Sequence, residues 1–328
     1  MKLYPFEFDP IIKERVWGGR NLASLYQKQL PSDAPMGESW EITDRPEGVS
    51  VINNGALAGK SLRWLMENHA DELLGRCKPL KGRFPLLVKI LDAAQKLSLQ
   101  VHPPAALAER LNGEPKTEMW YIAHAQANSD LFVGLKASVT KEQFEARLAE
   151  GSVAECFHRI PVDSGDAMFL PSGRVHAIGA GNVIFEIQQN SDTTYRVYDW
   201  DRLGLDGQPR ELHVDASLAC IDFKDKEPTL IATSADAVTP GTVVCPLVDD
   251  PCFSVDHYQV ESKGDFRVST QGRPTVLGLI QGEIDLMNDG QPLSLSGGAF
   301  CLIPASSSDC TVVASERAQL LVARPGIS

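Results

Sequence analysis

The sequence predicts a mostly β chain arranged as two similar small β-barrels with a few short helices. Three observations carry this. First, 21 Pro and 26 Gly punctuate short apolar runs along the 328 residues, the pattern of many short strands joined by turns. Second, only two stretches show a helical period. Third, one pattern occurs twice, as GDAMFLPSGRVH at 165–176 and GAFCLIPASSSD at 298–309. In both copies a Gly is followed six residues later by Pro and five residues after that by a polar residue. A strand enters, the proline turns it, and a second strand begins. Two copies this far apart imply two barrels, with His176 in the first where the second carries Asp309.

Taken in order, strands are expected over 84–93, 96–103, 118–125, 166–171, 182–189, 275–287, 299–304 and 319–325. A helix is expected over 61–75, where Leu62, Leu65, Met66, His69, Leu73 and Leu74 recur near a 3.6-residue period behind Ser61 as N-cap. A second is expected over 138–150, capped by Thr140 and stopped by Gly151. The polar, Pro-bearing stretch 223–242 marks the domain boundary. It divides an N-terminal catalytic unit, 1–235, which contains both helices, from a C-terminal non-catalytic barrel, 236–328.

The formal net charge is −12, from 31 basic and 43 acidic residues. Such a surface repels nucleic acid and anionic lipid, so neither is an expected partner, and an anionic ligand would need a local basic pocket. No apolar run approaches the ~20 residues of a membrane span. The start, MKLYPFEFDPIIKERVWGG, has no apolar core of the signal-peptide kind. Cysteines number seven, with no C-x-x-C spacing, which reads as reduced thiols in a cytoplasmic protein.

The metal-capable residues of the first half form one set. Gln100 and His102 stand at i and i+2 of a strand, so both side chains take one face. Glu118 opens the strand sixteen residues after His102, and His176 follows the Pro171 turn. Two imidazoles, a carboxylate and an amide oxygen make a site suited to zinc. The remaining histidines read as packing or surface residues. The strand equivalent in the second half, 275–287, contains no His, so that barrel is expected to hold no metal.

The segments LSLQVHP (97–103), KTEMWYI (116–122), GDAMFLPSGRVHAI (165–178) and EIQQNSDTTYRVYDWDR (186–202) resemble the type I mannose-6-phosphate isomerases. The likeness is to the short bacterial form, which lacks a large helical insertion. RVWGGRNL (15–22) and GESWEI (37–42) add to it. It is strong over about residues 5–215 and weak beyond. The resemblance implies cupin-like (jelly-roll) barrels and one zinc ion held by Gln100, His102, Glu118 and His176. It implies a catalytic Arg196 after the Ser-Asp-x-Thr stretch, an acidic Glu186, and the Lys-x-Glu pair Lys116–Glu118. It assigns Lys89 and Ser98 to phosphate binding. Thr117 stands where some relatives have Pro.

The implied reaction interconverts D-mannose 6-phosphate and D-fructose 6-phosphate. It moves a proton between C2 and C1 through an enediol, and three needs follow. The phosphate needs a cation, for which Lys89 with the Ser98 hydroxyl is the candidate. The developing oxyanion needs positive charge in a dry pocket, which Arg196 and a metal supply. The carbon-bound proton needs a base, either Glu186 or Lys116. Trp17 and Trp40, in the Gly-flanked motifs, are the aromatics expected to line the site.

Each role has a plainer alternative. Arg196 could pair with Asp192, Asp199 or Asp201, Glu186 could face water, and Lys89 could point to solvent. Two other functions also fit a metal-bearing barrel: a non-catalytic sugar-phosphate-binding regulator, and another metal-dependent cupin enzyme such as an iron dioxygenase. A monomer is expected, since two barrels can cover each other's sheet edges.

Overall fold

The computed structural model describes residues 2–327. Among the described residues four larger antiparallel sheets lie in succession, with a small two-stranded one at Asp44–Arg45 and Gly48–Val49. The six-stranded sheet runs in the order Ala167–Leu170, Glu118–Ala125, Asn182–Gln189, Leu86–Ala93, Ile11–Gly19, Met36–Ile42. The five-stranded sheet runs Phe157–Pro161, Asp130–Leu135, His176–Ile178, Leu99–Val101, Tyr195–Tyr198. In the C-terminal part a seven-stranded sheet is built around Thr275–Gln281 and Ala318–Pro325. A four-stranded sheet joins Asp265–Val268, Cys310–Ala314, Glu283–Asn288 and Gln291–Ser296.

The central strands of the six- and seven-stranded sheets, such as Leu86–Ala93 and Ala318–Pro325, are buried on both faces and read as largely apolar runs. Val183, Phe185 and Ile187 pack with Val276, Leu302 and Leu321 in a core between these two sheets. The opposite faces pack elsewhere. Leu277, Leu279, Leu320 and Val322 meet Phe266, Leu286 and Val312 of the four-stranded sheet. Leu91, Trp120 and Ile184 meet Leu131, Val133 and Ile178 of the five-stranded sheet. The outer face of the five-stranded sheet, with Leu99, Val101, Phe132 and Val197, is covered by Phe144 of the helix Lys141–Ala149 and Cys220 of the helix Val214–Cys220.

The strands expected at 118–125 and 182–189 form with those boundaries. The repeat is structural. Gly165 and Gly298 both take positive φ, 102° and 83°. Each leads into a strand of the larger sheet, and after Pro171 or Pro304 the chain crosses to the smaller sheet, at His176–Ile178 or Cys310–Ala314. Asp309 is exposed, just before its strand.

The second helix forms as expected. Thr140 accepts from the Gln143 backbone while Gln143 Oε1 accepts from the Thr140 backbone at 2.9 Å, and Gly151 stops it at φ 75°. The first departs from expectation. It is capped by Ser61, but splits into Leu62–Asn68 and Ala70–Leu74 because His69 leaves helical geometry at φ −141°, ψ 31°. The run 275–287 is likewise two strands, Thr275–Gln281 and Glu283–Asn288, in different sheets. Gly282, at φ 88°, turns the chain between them.

Two pairings lay beyond the sequence pattern. Phe6–Glu7 adds to the C-terminal seven-stranded sheet beside Phe300–Ile303, and Ile11–Gly19 pairs with Met36–Ile42. All seven cysteines are free thiols, and among the described residues no helix is long and apolar enough to cross a membrane.

Candidate active site

Alternation decides which side chains face the space between the six- and five-stranded sheets. On Leu99–Val101 the two leucine and valine neighbours pack outward under the helices, which turns Gln100 inward. Ala177 does the same for His176, and Tyr195 and Val197 for Arg196. The register then sets Gln100 directly opposite His176 on one side and Arg196 on the other. On the facing sheet Val88, Ile90, Met119, Tyr121, Phe185 and Ile187 turn away into the other core. Lys89, Glu118, Trp120 and Glu186 are left facing the site. There Glu186 is paired with Lys89 on one neighbouring strand and Trp120 on the other.

His102, Glu118 and His176 converge, all fully buried, with one ligand atom of each within 4.8 Å of the others. Their polarity is informative. The Nδ1–H of His102 donates to the Thr193 carbonyl (2.8 Å) and that of His176 to the Arg174 carbonyl (2.9 Å). A carbonyl can only accept, so each Nε2 carries a lone pair. Those lone pairs stand 3.6 Å and 3.2 Å from Glu118 oxygens. Burial pushes His176 down to about 3 and lowers His102 as well, so both rings are neutral.

Burial alone would raise the Glu118 carboxyl, but the Lys116 ammonium at 2.7 Å holds it well below the usual range. His102 Nε2 and both Glu118 oxygens lack an aligned hydrogen bond. Buried acceptors facing acceptors are unfavourable unless a cation stands among them. These residues fit a divalent metal. Gln100 presents its amide to His176 Nε2 at 3.3 Å and, on rotating the amide, brings its oxygen to the same place.

A cleft of about 530 Å³ lies beside this group, bounded on that side by Gln100 and Lys116. It is lined by the remaining residues expected from the sequence: Trp17, Lys89, Ser98, Gln100, Lys116, Glu186 and Arg196. Lys89 does not point to solvent. It is 3% exposed, 3.4 Å from Glu186 Oε1 and 3.7 Å from Asp192. Burial opposes its charge, but Glu186, Glu38 and Asp192 together raise its pKa. Glu186 accepts from the Trp120 indole at 2.9 Å, and burial raises its carboxyl above the ordinary value. Ser98 donates to Gln100 Oε1 at 3.3 Å.

Arg196 has none of the aspartate partners considered for it. Asp192 lies by Lys89, Asp199 takes Arg202 and Arg210, and Asp201 accepts from Tyr198. The Arg196 guanidinium donates to the Glu211 carbonyl (2.7 Å), and burial and the Arg210 charge lower its pKa. It is a cleft cation with no carboxylate against it among the described residues.

Trp40 differs from expectation. It stands behind the cleft, donating its indole N–H to Glu38 Oε2 at 2.7 Å. Sequence reasoning also missed Arg15 and Glu38, which line the cleft as a two-pronged pair at 2.9 Å and 3.1 Å. Their only sequence signal is their place inside RVWGG and GESWEI.

The model of the phosphomannose isomerase type I catalytic domain matches residues 6–115. The chain is 35% identical over 312 residues to a probable mannose-6-phosphate isomerase of Bacillus subtilis, covering 94% of this chain and 96% of that one. It is 41% identical over 248 residues to the mannose-6-phosphate isomerase of Streptococcus mutans, covering 75% and 76%. The crystal structure of the mannose 6-phosphate isomerase from Bacillus subtilis superposes with a TM-score of 0.89 at 31% identity, over 98% of this chain and 99% of that chain.

Proposed function

The chain belongs to the type I mannose-6-phosphate isomerases, and from that premise we propose that it interconverts D-mannose 6-phosphate and D-fructose 6-phosphate through an enediol, with one zinc ion held by Gln100, His102, Glu118 and His176. The observation that carries this reading is the set of buried lone pairs at His102, Glu118 and His176 beside a cleft that also holds a raised carboxyl and a guanidinium with no carboxylate partner. A bound zinc ion would supply positive charge to the substrate's oxygens.

The chain's own groups divide the remaining work. Glu186, its carboxyl raised above the ordinary value by burial, takes the proton from carbon. Lys116 holds Glu118 ionised and stands where it can hold the proton that moves between the sugar oxygens. Arg196 faces the enediolate as its charge develops. Lys89 and Ser98 hold the phosphate, which takes the place of Asp192, the more exposed of the two carboxylates beside Lys89. Trp17 forms an apolar wall of the cleft.

We also propose a division near residue 235, with 236–328 free of metal, and a cytoplasmic monomer. The strand Asp236–Thr239 begins the C-terminal sheet at that point. A coupled assay for fructose 6-phosphate formed from mannose 6-phosphate, run with and without chelator beside metal analysis, tests the reading. Turnover lost on chelation and restored by zinc is expected. Full turnover in metal-free protein would overturn the zinc assignment, and iron as the bound metal with no isomerase activity would favour the dioxygenase alternative.

A further inference from the structure

Trp120 touches both halves of the proposed chemistry. It is 1% exposed and sits two residues after Glu118 on the same strand, so it shares that strand's inward face. The register sets it directly opposite Glu186. Its indole N–H donates to Glu186 Oε2 at 2.9 Å, while Lys89 Nζ faces the other oxygen at 3.4 Å. Its ring also stands edge-on to His176, 5.3 Å between centroids at 86°.

A buried tryptophan N–H needs an acceptor, and a backbone carbonyl would serve as well as a side chain, as Leu97 does for Trp200. Here the acceptor is a carboxylate that lines the cleft. A lysine ammonium is a point charge that restrains distance but little orientation. A rigid indole on the second oxygen sets the plane of the carboxylate.

We propose that Trp120 is a positioning residue. Its N–H holds the Glu186 carboxylate in one orientation toward the cleft, and its ring edge holds the His176 imidazole, so the proton-transfer group and the metal group keep one mutual geometry. The proposal rests on the reading of Glu186 as the base.

A double-mutant cycle tests it. Trp120→Phe keeps a ring beside His176 and removes the donor. Loss of one hydrogen bond to a charged group should lower kcat about tenfold, with KM changed less than about twofold. Zinc content should be unchanged. In the Glu186→Gln background the same substitution should lower kcat less than about twofold, since there is no carboxylate left to orient. Multiplying losses would show that Trp120 acts by packing alone and overturn the proposal.

If Glu186→Gln is impaired while Trp120→Phe turns over normally, only the role of Trp120 fails. If Glu186→Gln keeps full turnover, the reading of Glu186 fails with it. A measurement without a Trp variant guards against misfolding. Of the five indole N–H signals in a nitrogen-15 correlation spectrum, one should move in Glu186→Gln. No movement overturns the contact.

Discussion

Glu118 Oε1 and His176 Nε2 stand 3.2 Å apart, and neither has a proton to offer the other. The His176 proton is on Nδ1, held by the Arg174 carbonyl, and the Glu118 carboxyl stays ionised under the influence of Lys116. A divalent cation placed among these groups would relieve such a contact between two buried acceptors. His102→Ala, which removes one of the four residues proposed to hold zinc, should abolish bound zinc and activity together. Metal analysis beside the coupled assay measures both, and an active, metal-free variant would refute the assignment.

Arg196→Ala should lower kcat and kcat/KM together by roughly 10²–10³-fold, as for loss of an oxyanion donor in a dry site, with KM little changed. The guanidinium has no carboxylate partner to lose, so stability should change by at most ~1 kcal/mol. Steady-state kinetics and a denaturation curve on the same preparation decide this. Zinc content should match the parent protein.

Lys89→Ala should mainly raise KM, because a group that holds phosphate alike in ground and transition state contributes uniform binding. A second effect comes from its position 3.4 Å from Glu186. Removing that cation disfavours the ionised carboxylate and raises its pKa further.

The pH profile of kcat carries the sign of that argument. Burial raises the Glu186 carboxyl above its ordinary value. A base must be ionised, so turnover should fall as pH falls, with an apparent pKa above the usual ~4.3 of glutamate. In Lys89→Ala the same limb should move to higher pH. An acid limb at or below ~4.3 would remove Glu186 from the proton transfer.

Glu38 offers a stability test independent of catalysis. Burial opposes its ionisation, but Lys89 and Arg15 outweigh it and bring the carboxyl down to about 2. A folded-state pKa below the unfolded one stabilises above the unfolded value. That stabilisation is lost as pH falls from about 4.5 toward 2. The difference corresponds to about 3 kcal/mol. Glu38→Gln should be less stable than the parent at pH 7 and nearly equal to it near pH 2, measured by urea midpoints.

Deleting 236–328 should cost solubility before it costs zinc. It uncovers the face of the six-stranded sheet carrying Val183, Phe185 and Ile187 and removes none of the metal group. Aggregation with zinc retained in the soluble fraction is the expected outcome.

Where the sequence was readable, a local cause can be named. The strands Glu118–Ala125 and Asn182–Gln189 have their expected boundaries because both faces are buried and the apolar runs are continuous. The helix Lys141–Ala149 was legible because Thr140 and Gln143 form its capping box within four residues. His69 and Gly282 were misread because a single residue's backbone angle, not composition, breaks each element.

The sequence alone singled out the ten candidate site residues: strand alternation and spacing collected Gln100, His102, Glu118 and His176, a Gly-flanked motif pointed to Trp17, and motif likeness supplied the rest. The fold alone decided their partners. It gave Arg196 no carboxylate, buried Lys89 between Glu186 and Asp192, paired Arg15 with Glu38, and set Trp120 on Glu186. The cause is physical. Which side of a strand a residue takes is a local property of the backbone. Which residue stands opposite depends on the register between strands far apart in the sequence, 66 positions for Trp120 and Glu186 and more for Lys89 and Glu186, and burial then sets the charge each one keeps.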